Sequence, residues 1–205
     1  MLLRLDKLIE RYNMKITGVI QAGAHEGEEI DEFVRLGITT GSFFEPCEES
    51  FNKLLKKKNR DLNYYFYRSA LGSKMGCWLQ INKTKFNGGQ SNSLLQPKRH
   101  LDYYPNIIFD ETEEVVVNIL DWFNTLGANL LVMDVQGYEL EILKGATKTM
   151  KEIDYIYTEV NREELYENCA MVEDLDNYLT DFKRVETKWK RRGFGDALYI
   201  RKTLL

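Results

Sequence analysis

Two rhythms of apolar positions alternate along this chain. Unbroken apolar runs at 17–23 (TGVIQAG), 41–46 (GSFFEP) and 129–135 (NLLVMDV) read as short strands buried on both faces. Between them apolar residues recur at helical spacing: Ile30, Phe33 and Val34 within 26–37, then Phe51, Leu54 and Leu55 within 48–58. Leu140, Leu143, Ala146 and Met150 predict a helix from 138 to about 151, and Val172, Leu175, Leu179 and Phe182 predict one over 171–183. Aromatic or β-branched stretches predict further strands at 62–71, 77–82, 114–119 and 155–160, with a short helix at 120–126. Two closing strands, 184–190 and 197–201, are separated by Gly193 and Gly195 and predict an antiparallel hairpin. The opening MLLRLDKLIERYN is interrupted by Arg4, Asp6 and Lys7, which makes it a short amphipathic helix rather than a leader.

The β-α-β-α alternation predicts one α/β domain over 1–205: a doubly wound, mostly parallel sheet with helices on both faces and right-handed crossovers. In such sheets ligands lie at the carboxyl ends of the strands, where strand order reverses. That places 21–27, 45–46, 69–70, 134–137 and 159–161 at the expected site. Residues 83–113 break the rhythm, holding two of the three prolines and the pair Gly88-Gly89. An irregular stretch of this length is usually functional, and it is assigned to an acceptor lid.

Composition narrows the function. The chain of 205 residues is 43% hydrophobic and 29% charged, with no apolar run long enough to span a membrane. A net charge of -4 argues against a dedicated nucleic-acid binder. The basic clusters Lys56, Lys57, Lys58, Arg60 and Lys188, Lys190, Arg191, Arg192 read as solvated element ends, or as a local contact with an anionic substrate. Three cysteines, Cys47, Cys77 and Cys169, are far apart, which suits reduced thiols and a cytoplasmic location. With two histidines and no paired cysteines, zinc is disfavoured.

The chemistry is carried by strand-end motifs. In Gln21-Ala-Gly-Ala-His-Glu-Gly27, aligned on Gly23, the positions that a dinucleotide loop needs as glycine are Gln21 and Glu26. Glu26 would repel a pyrophosphate, so an NAD(P)-dependent oxidoreductase is the weaker reading. A cofactor without phosphates still fits, and S-adenosylmethionine is one. Glu45 ends the next strand about twenty residues on, where an acidic side chain accepts ribose hydroxyls.

At this point the chain resembles the FkbM-type methyltransferases, from about Gly18 onward. The most specific segment is LLVMDVQGYELEILKGA (130–146), accompanied in order by VIQAGAHEG, FFEPCEESFNKLL, SALGSKMG, SNSLL, VNILDWF and YTEVN. The resemblance implies a seven-stranded, Rossmann-like class I methyltransferase fold with S-adenosylmethionine as methyl donor. It implies O-methylation of a sugar hydroxyl, with a deoxysugar such as rhamnose within a glycan favoured. Carried onto this chain, the cofactor residues are Gln21, Gly23, Ala24, His25, Gly27, Glu45, Pro46, Ser69, Ala70, Ser93, Asp134 and Val135. Asp134 and Glu159 are candidates for base and substrate-orienting partner, with His100 the alternative base. The same two carboxylates are candidate ligands for Mg²⁺ or Mn²⁺. Tyr103, Tyr104, Trp78 and Trp189 are candidate stacking faces for a carbohydrate acceptor.

The chain departs from the family pattern twice: Gln21 stands for the usual Asp, and Gln136 for the Glu of D-V-E-G. Both losses of charge keep open a catalytically idle cofactor-fold module that binds a partner. An N/D-P-P-Y/F motif, expected of base-modifying N-methyltransferases, is absent.

Overall fold

The apolar run 130–133 is buried at every position and divides between two cores, Leu131 and Met133 on one face and Leu130 and Val132 on the other. This alternation is what a strand sandwiched between helical layers requires. The computed structural model describes residues 2–190 and 193–205; Arg191 and Arg192 of the second basic cluster lie outside them. The first half runs α1 (Leu5–Tyr12), β1 (Val19–Ala22), α2 (Ile30–Arg35), β2 (Thr40–Phe44), α3 (Glu48–Leu54) and β3 (Asn63–Tyr67). The middle is β4 (Ala70–Leu71), β5 (Cys77–Lys83), α4 (Arg99–Tyr103) and β6 (Glu111–Asn118). The rest is β7 (Leu130–Met133), α5 (Glu139–Lys144), β8 (Tyr155–Asn161), α6 (Val172–Tyr178), β9 (Phe182–Trp189) and β10 (Phe194–Arg201).

Seven strands form one sheet in the order β3-β2-β1-β7-β8-β10-β9. Pairing is parallel from β3 through β8, and β10 runs antiparallel to both β8 and β9, the hairpin the sequence predicts. Chain order reverses between β1 and β7, which opens a crevice at their carboxyl ends. One face is covered by Leu5, Leu8, Ile30, Phe33 and Leu54 from α1, α2 and α3. The other is covered by Ile142 and Leu143 of α5 and Val172 and Leu175 of α6. Among the described residues no helix is long and apolar enough to cross a membrane.

The structure corrects three boundaries. The predicted strand 62–71 is two strands, broken at Arg68 and Ser69: β3 joins the main sheet, and β4 pairs with β6 in a second sheet of order β4-β6-β5. The helix predicted to 151 ends at Lys144, because Gly145 packs on the Gly72 carbonyl and Asp121 accepts the N–H groups of Lys148 and Thr149 to start a new turn. The helix predicted from 26 begins at Ile30, the preceding residues being spent on a loop in which Gly27 has φ +81. The stretch 83–113, expected to be irregular, begins in β5, carries α4 and ends in β6, and what lies between is stitched down. Asn82 and Ser93 exchange backbone hydrogen bonds, and Pro97 bridges to Tyr166.

A Cβ built at Gly145 would stand 2.0 Å from the Gly72 oxygen, the contact that seats the small sheet on α5. Gly145→Ala is expected to destabilise the fold by roughly 1–3 kcal/mol through overpacking. Urea unfolding checks this, and an unchanged midpoint would show that the two elements are not held by this contact.

Candidate active site

A cavity of about 400 Å³ opens where the sheet order reverses. Its floor depends on Gly23, in the loop after β1. This residue has φ +74, and a Cβ there would lie 2.0 Å from the carbonyl oxygen of Asp134. Gly23 and Ala24 donate their N–H groups to Phe44 O at 3.0 and 2.9 Å, so the loop crosses the end of β2. Glu45 follows β2 directly. Its buried carboxylate accepts the N–H of His25 on Oε2 and that of Cys47 on Oε1, both at 2.9 Å. Burial pushes its pKa up, against the pull of those N–H groups and the His25 charge.

His25 sits between Glu28 Oε1 at 2.6 Å and the Gly88 carbonyl at 2.8 Å. Burial alone would lower its pKa, but the Glu28 bond and charge and the Gly88 bond outweigh it, and the pKa lies above the ordinary histidine value. Both partners only accept, so a ring making both bonds carries both protons. His25 thereby ties the loop after β1 to the segment 83–113.

Asp134 directly follows β7, Glu159 lies beside it on β8, and Asp196 is Glu159's register partner on β10, so three carboxylates line one edge of the cavity. Gln136 donates Nε2–H to Asp134 Oδ1 at 2.8 Å and to Glu159 Oε2 at 3.3 Å. Burial pushes both carboxyls up, Glu159 further because Asp134 adds a like charge. The amide occupies the space between them that a bridging cation would need. Among the described residues no group of three or more His, Cys, Asp or Glu is arranged to hold a metal.

The sequence-predicted residues divide. Gly23, His25, Glu45, Pro46, Ser69, Ala70, His100, Asp134, Val135 and Glu159 line the cavity. Ala24 and Gly27 sit behind its wall: Ala24 is fully buried in the core with Ile30 and Phe33, and Gly27 leaves room for Ile30 and Leu54. Ser93 also faces away, donating to Gln136 O at 2.8 Å and accepting the Leu95 N–H. Gln21 does not reach the cavity but donates to Glu29 Oε2 at 3.0 Å, and it is Glu29 that lines it. His100, expected as a loop histidine, is 4% exposed among Tyr104, Phe109 and Tyr166. Its Nε2 contacts Ser91 Oγ at 3.1 Å, its Nδ1 has no partner among the described residues, and burial holds its pKa below the ordinary value. Of the proposed stacking aromatics only Tyr104 lines the cavity. Trp78 is exposed on the small sheet, Trp189 packs against the main core, and Tyr103 bonds Glu163. Lys190 of the second basic cluster lines the cavity, and Lys57 of the first pairs with Asp31. Sequence reasoning missed Glu29, Asp196 and Phe194.

The fold and this strand-end crevice define a Rossmann-like methyltransferase, with a glycine loop after the first strand and an acid after the second. A family model described as the methyltransferase FkbM domain matches residues 21–194, and the chain belongs to that family. It is an S-adenosylmethionine-dependent methyltransferase. The 2-O-methyltransferase NoeI of Sinorhizobium fredii (strain NBRC 101917 / NGR234) is 28% identical to it over 206 residues, covering 91% of this chain and 80% of that protein. The fold is shared with methyltransferase FkbM from Methylobacillus flagellatus KT, at a TM-score of 0.58 and 16% identity over 90% of this chain. The chain spans 43% of that longer one. It is shared also with magnesium protoporphyrin IX methyltransferase ChlM from Synechocystis PCC 6803, solved with bound S-adenosylmethionine. There the TM-score is 0.54 and the identity 10%, over 96% of this chain and 77% of that one.

Behind the crevice Glu139, 1% exposed, braces the turn after β7 by accepting the N–H groups of Val135 and Gly137 on Oε1, both at 3.2 Å. Burial pushes its carboxyl up to about 7 from the ordinary 4.5. The folded chain therefore holds this proton longer than the unfolded chain does. The associated stability is complete below about pH 4.5 and is lost as the pH rises to about 7, some ~3 kcal/mol in all. Glu139→Gln keeps an acceptor and removes the ionisation. Urea unfolding at pH 5 and pH 8 should show a smaller loss in the variant, and equal losses would exclude Glu139 as their source.

Proposed function

We propose that this protein methylates a hydroxyl of a carbohydrate, holding S-adenosylmethionine over the loop after β1 and the acceptor beneath residues 83–113. The observation that carries the hydroxyl reading is the row Asp134, Glu159 and Asp196 along one cavity edge, since carboxylates accept hydrogen bonds from vicinal hydroxyls. The 28%-identical relative is a 2-O-methyltransferase, which supports the same acceptor group.

The residues present suit the cofactor. Glu45 is fixed by two N–H bonds yet keeps lone pairs for ribose hydroxyls. Ala70, Ile81, Leu94 and Cys47 supply an apolar wall for a purine. Gln21 has a buried Oε1 with no donor among the described residues, beside a Glu29 carboxylate with no cationic partner among them. An ammonium group bound at Glu29 supplies the missing charge, so this corner suits the cofactor's amino-acid end. The amide at position 21 thus acts through Glu29 in place of the usual Asp.

When bound, S-adenosylmethionine supplies a methyl group on a positively charged sulfur. The chain's own task is to orient the acceptor oxygen, exclude water and take a proton. Asp134, half-exposed to the cavity, is placed to accept the proton on its carboxylate. His100 remains the alternative through its unpartnered Nδ1, kept neutral by burial. Tyr104 and Ile107 line the cavity with Phe194 of β10, whose ring also carries Lys190 Nζ at 4.9 Å, and this lining supports 83–113 as the acceptor wall.

Labelled methyl transfer onto a panel of mono- and oligosaccharides that includes deoxyhexoses tests the acceptor. Label is expected on a sugar hydroxyl; label only on amines or non-carbohydrate phenols would overturn the reading. Glu45→Ala should weaken cofactor binding about 10–150-fold, the worth of a charge-assisted bidentate contact. Calorimetry measures it, and unchanged affinity in a folded variant removes Glu45 from the site.

A further inference from the structure

We propose that Gln136 is a positioning residue whose amide ties Asp134 to Glu159 in the role a divalent cation would otherwise fill, so that methyl transfer here proceeds without a metal. The proposal rests on the reading of this cavity as the transfer site. Both N–H groups of the amide are committed, one to Asp134 Oδ1 at 2.8 Å and one to Glu159 Oε2 at 3.3 Å. Its carbonyl Oε1 lies 3.0 Å from the hydroxyl of Tyr166, which also reaches the Ser91 carbonyl at 3.0 Å. With the donor end toward the two carboxyl groups, the oxygen end is left to the Tyr166 hydroxyl.

The main chain is held as firmly. Gln136 adopts φ 55, uncommon for a residue of this kind, and its carbonyl accepts the Ser93 hydroxyl at 2.8 Å. Ser93 and Ser91 belong to the irregular segment and Tyr166 follows β8. Two separate parts of the chain therefore converge to aim one neutral side chain.

What that side chain does follows from its protons. Asp134 and Glu159 set carboxyl oxygens side by side on adjacent strands, and a group that donates to both offsets the repulsion that pushes Glu159 up. A cation does so by coordination, and an amide does so with two N–H dipoles. A glutamate at 136 has the same reach and no proton to give. It would bring a third carboxylate to two that already converge, the oxygen-rich set that Mg²⁺ and Mn²⁺ prefer. The identity of residue 136 thus decides between an amide-bridged and a metal-bridged pair.

The full chain and its Gln136→Glu, Gln136→Met and Tyr166→Phe variants separate this from a packing role. Mn²⁺ binding is followed by calorimetry and by the electron paramagnetic resonance of the free ion, and turnover is measured with EDTA or with added Mn²⁺. The wild type is expected to show no stoichiometric Mn²⁺ site and no loss of turnover in EDTA. Gln136→Glu should gain one Mn²⁺ site and lose roughly 10–100-fold of its turnover in EDTA, with Mn²⁺ restoring part of it. Gln136→Met, of similar shape without donors, should lose a similar factor in kcat with little change in KM for the cofactor, and Mn²⁺ should not restore it. Tyr166→Phe, which frees the amide to turn, should lower kcat in the same way by a smaller factor. A wild type inactivated by EDTA and restored by Mn²⁺ would overturn the proposal. So would a folded Gln136→Glu that binds no Mn²⁺, a readout that stands even if the acceptor reading fails.

Discussion

Gly23 lies so close to the carbonyl of Asp134 that no other residue fits between them, and the whole site is built on that approach. It sets the ends of β1 and β7 side by side where the sheet's order reverses. The first loop can then lie across β2, with its N–H groups on Phe44 and Glu45. It also leaves Asp134 at the lip of the crevice rather than inside the strand, where Val132 and Met133 are fully packed. A side chain at 23 would push the two strand ends apart and move both the cofactor loop and the carboxylate row. Positive φ at Gly23, His25 and Gly27 within one short loop shows how much backbone freedom this junction uses.

The parts of the fold legible in the sequence were those fixed by periodicity. The β7 run and the apolar faces of α2, α3, α5 and α6 each declare their partner layer, and a mostly parallel sheet with helices on both faces follows from alternation. Element ends were harder to read, because they depend on contacts distant in sequence. The end of α5 is set by a carbonyl at Gly72, and the break between β3 and β4 by a second sheet whose other strands lie beyond Gly76. No local pattern around 145 or 68 carries that information.

The site was legible only as far as motifs mark strand ends. Glu45, Asp134 and Glu159 come to the cavity because each closes or flanks a strand that the pattern identifies. Glu29 and Asp196 could not be read so. Glu29 matters through the amide of Gln21, and Asp196 through its register with Glu159 across an antiparallel pair. His100 shows the reverse limit: it reads as an alternative base in a polar segment, yet Tyr104, Phe109 and Tyr166 enclose it.

The cavity buries several carboxylates and holds them largely through dipoles, with the His25 charge beside Glu45. Glu45 and Glu139 each take two backbone N–H groups, Asp196 takes the Leu3 N–H and the Tyr157 hydroxyl, and Asp134 and Glu159 share one amide. Among the described residues the ion pairs lie elsewhere, apart from His25 with Glu28 at the rim. A dipole lowers the cost of a buried charge without cancelling it, whereas a fixed lysine or arginine would quench the field that the charge projects. Burial pushes these carboxyls up, and a positively charged ligand would restore their ionisation and with it the negative potential of the crevice. A cofactor that is itself a cation at its sulfur and its amino group meets that potential directly, and the low-dielectric wall makes the match count for more than it would in water.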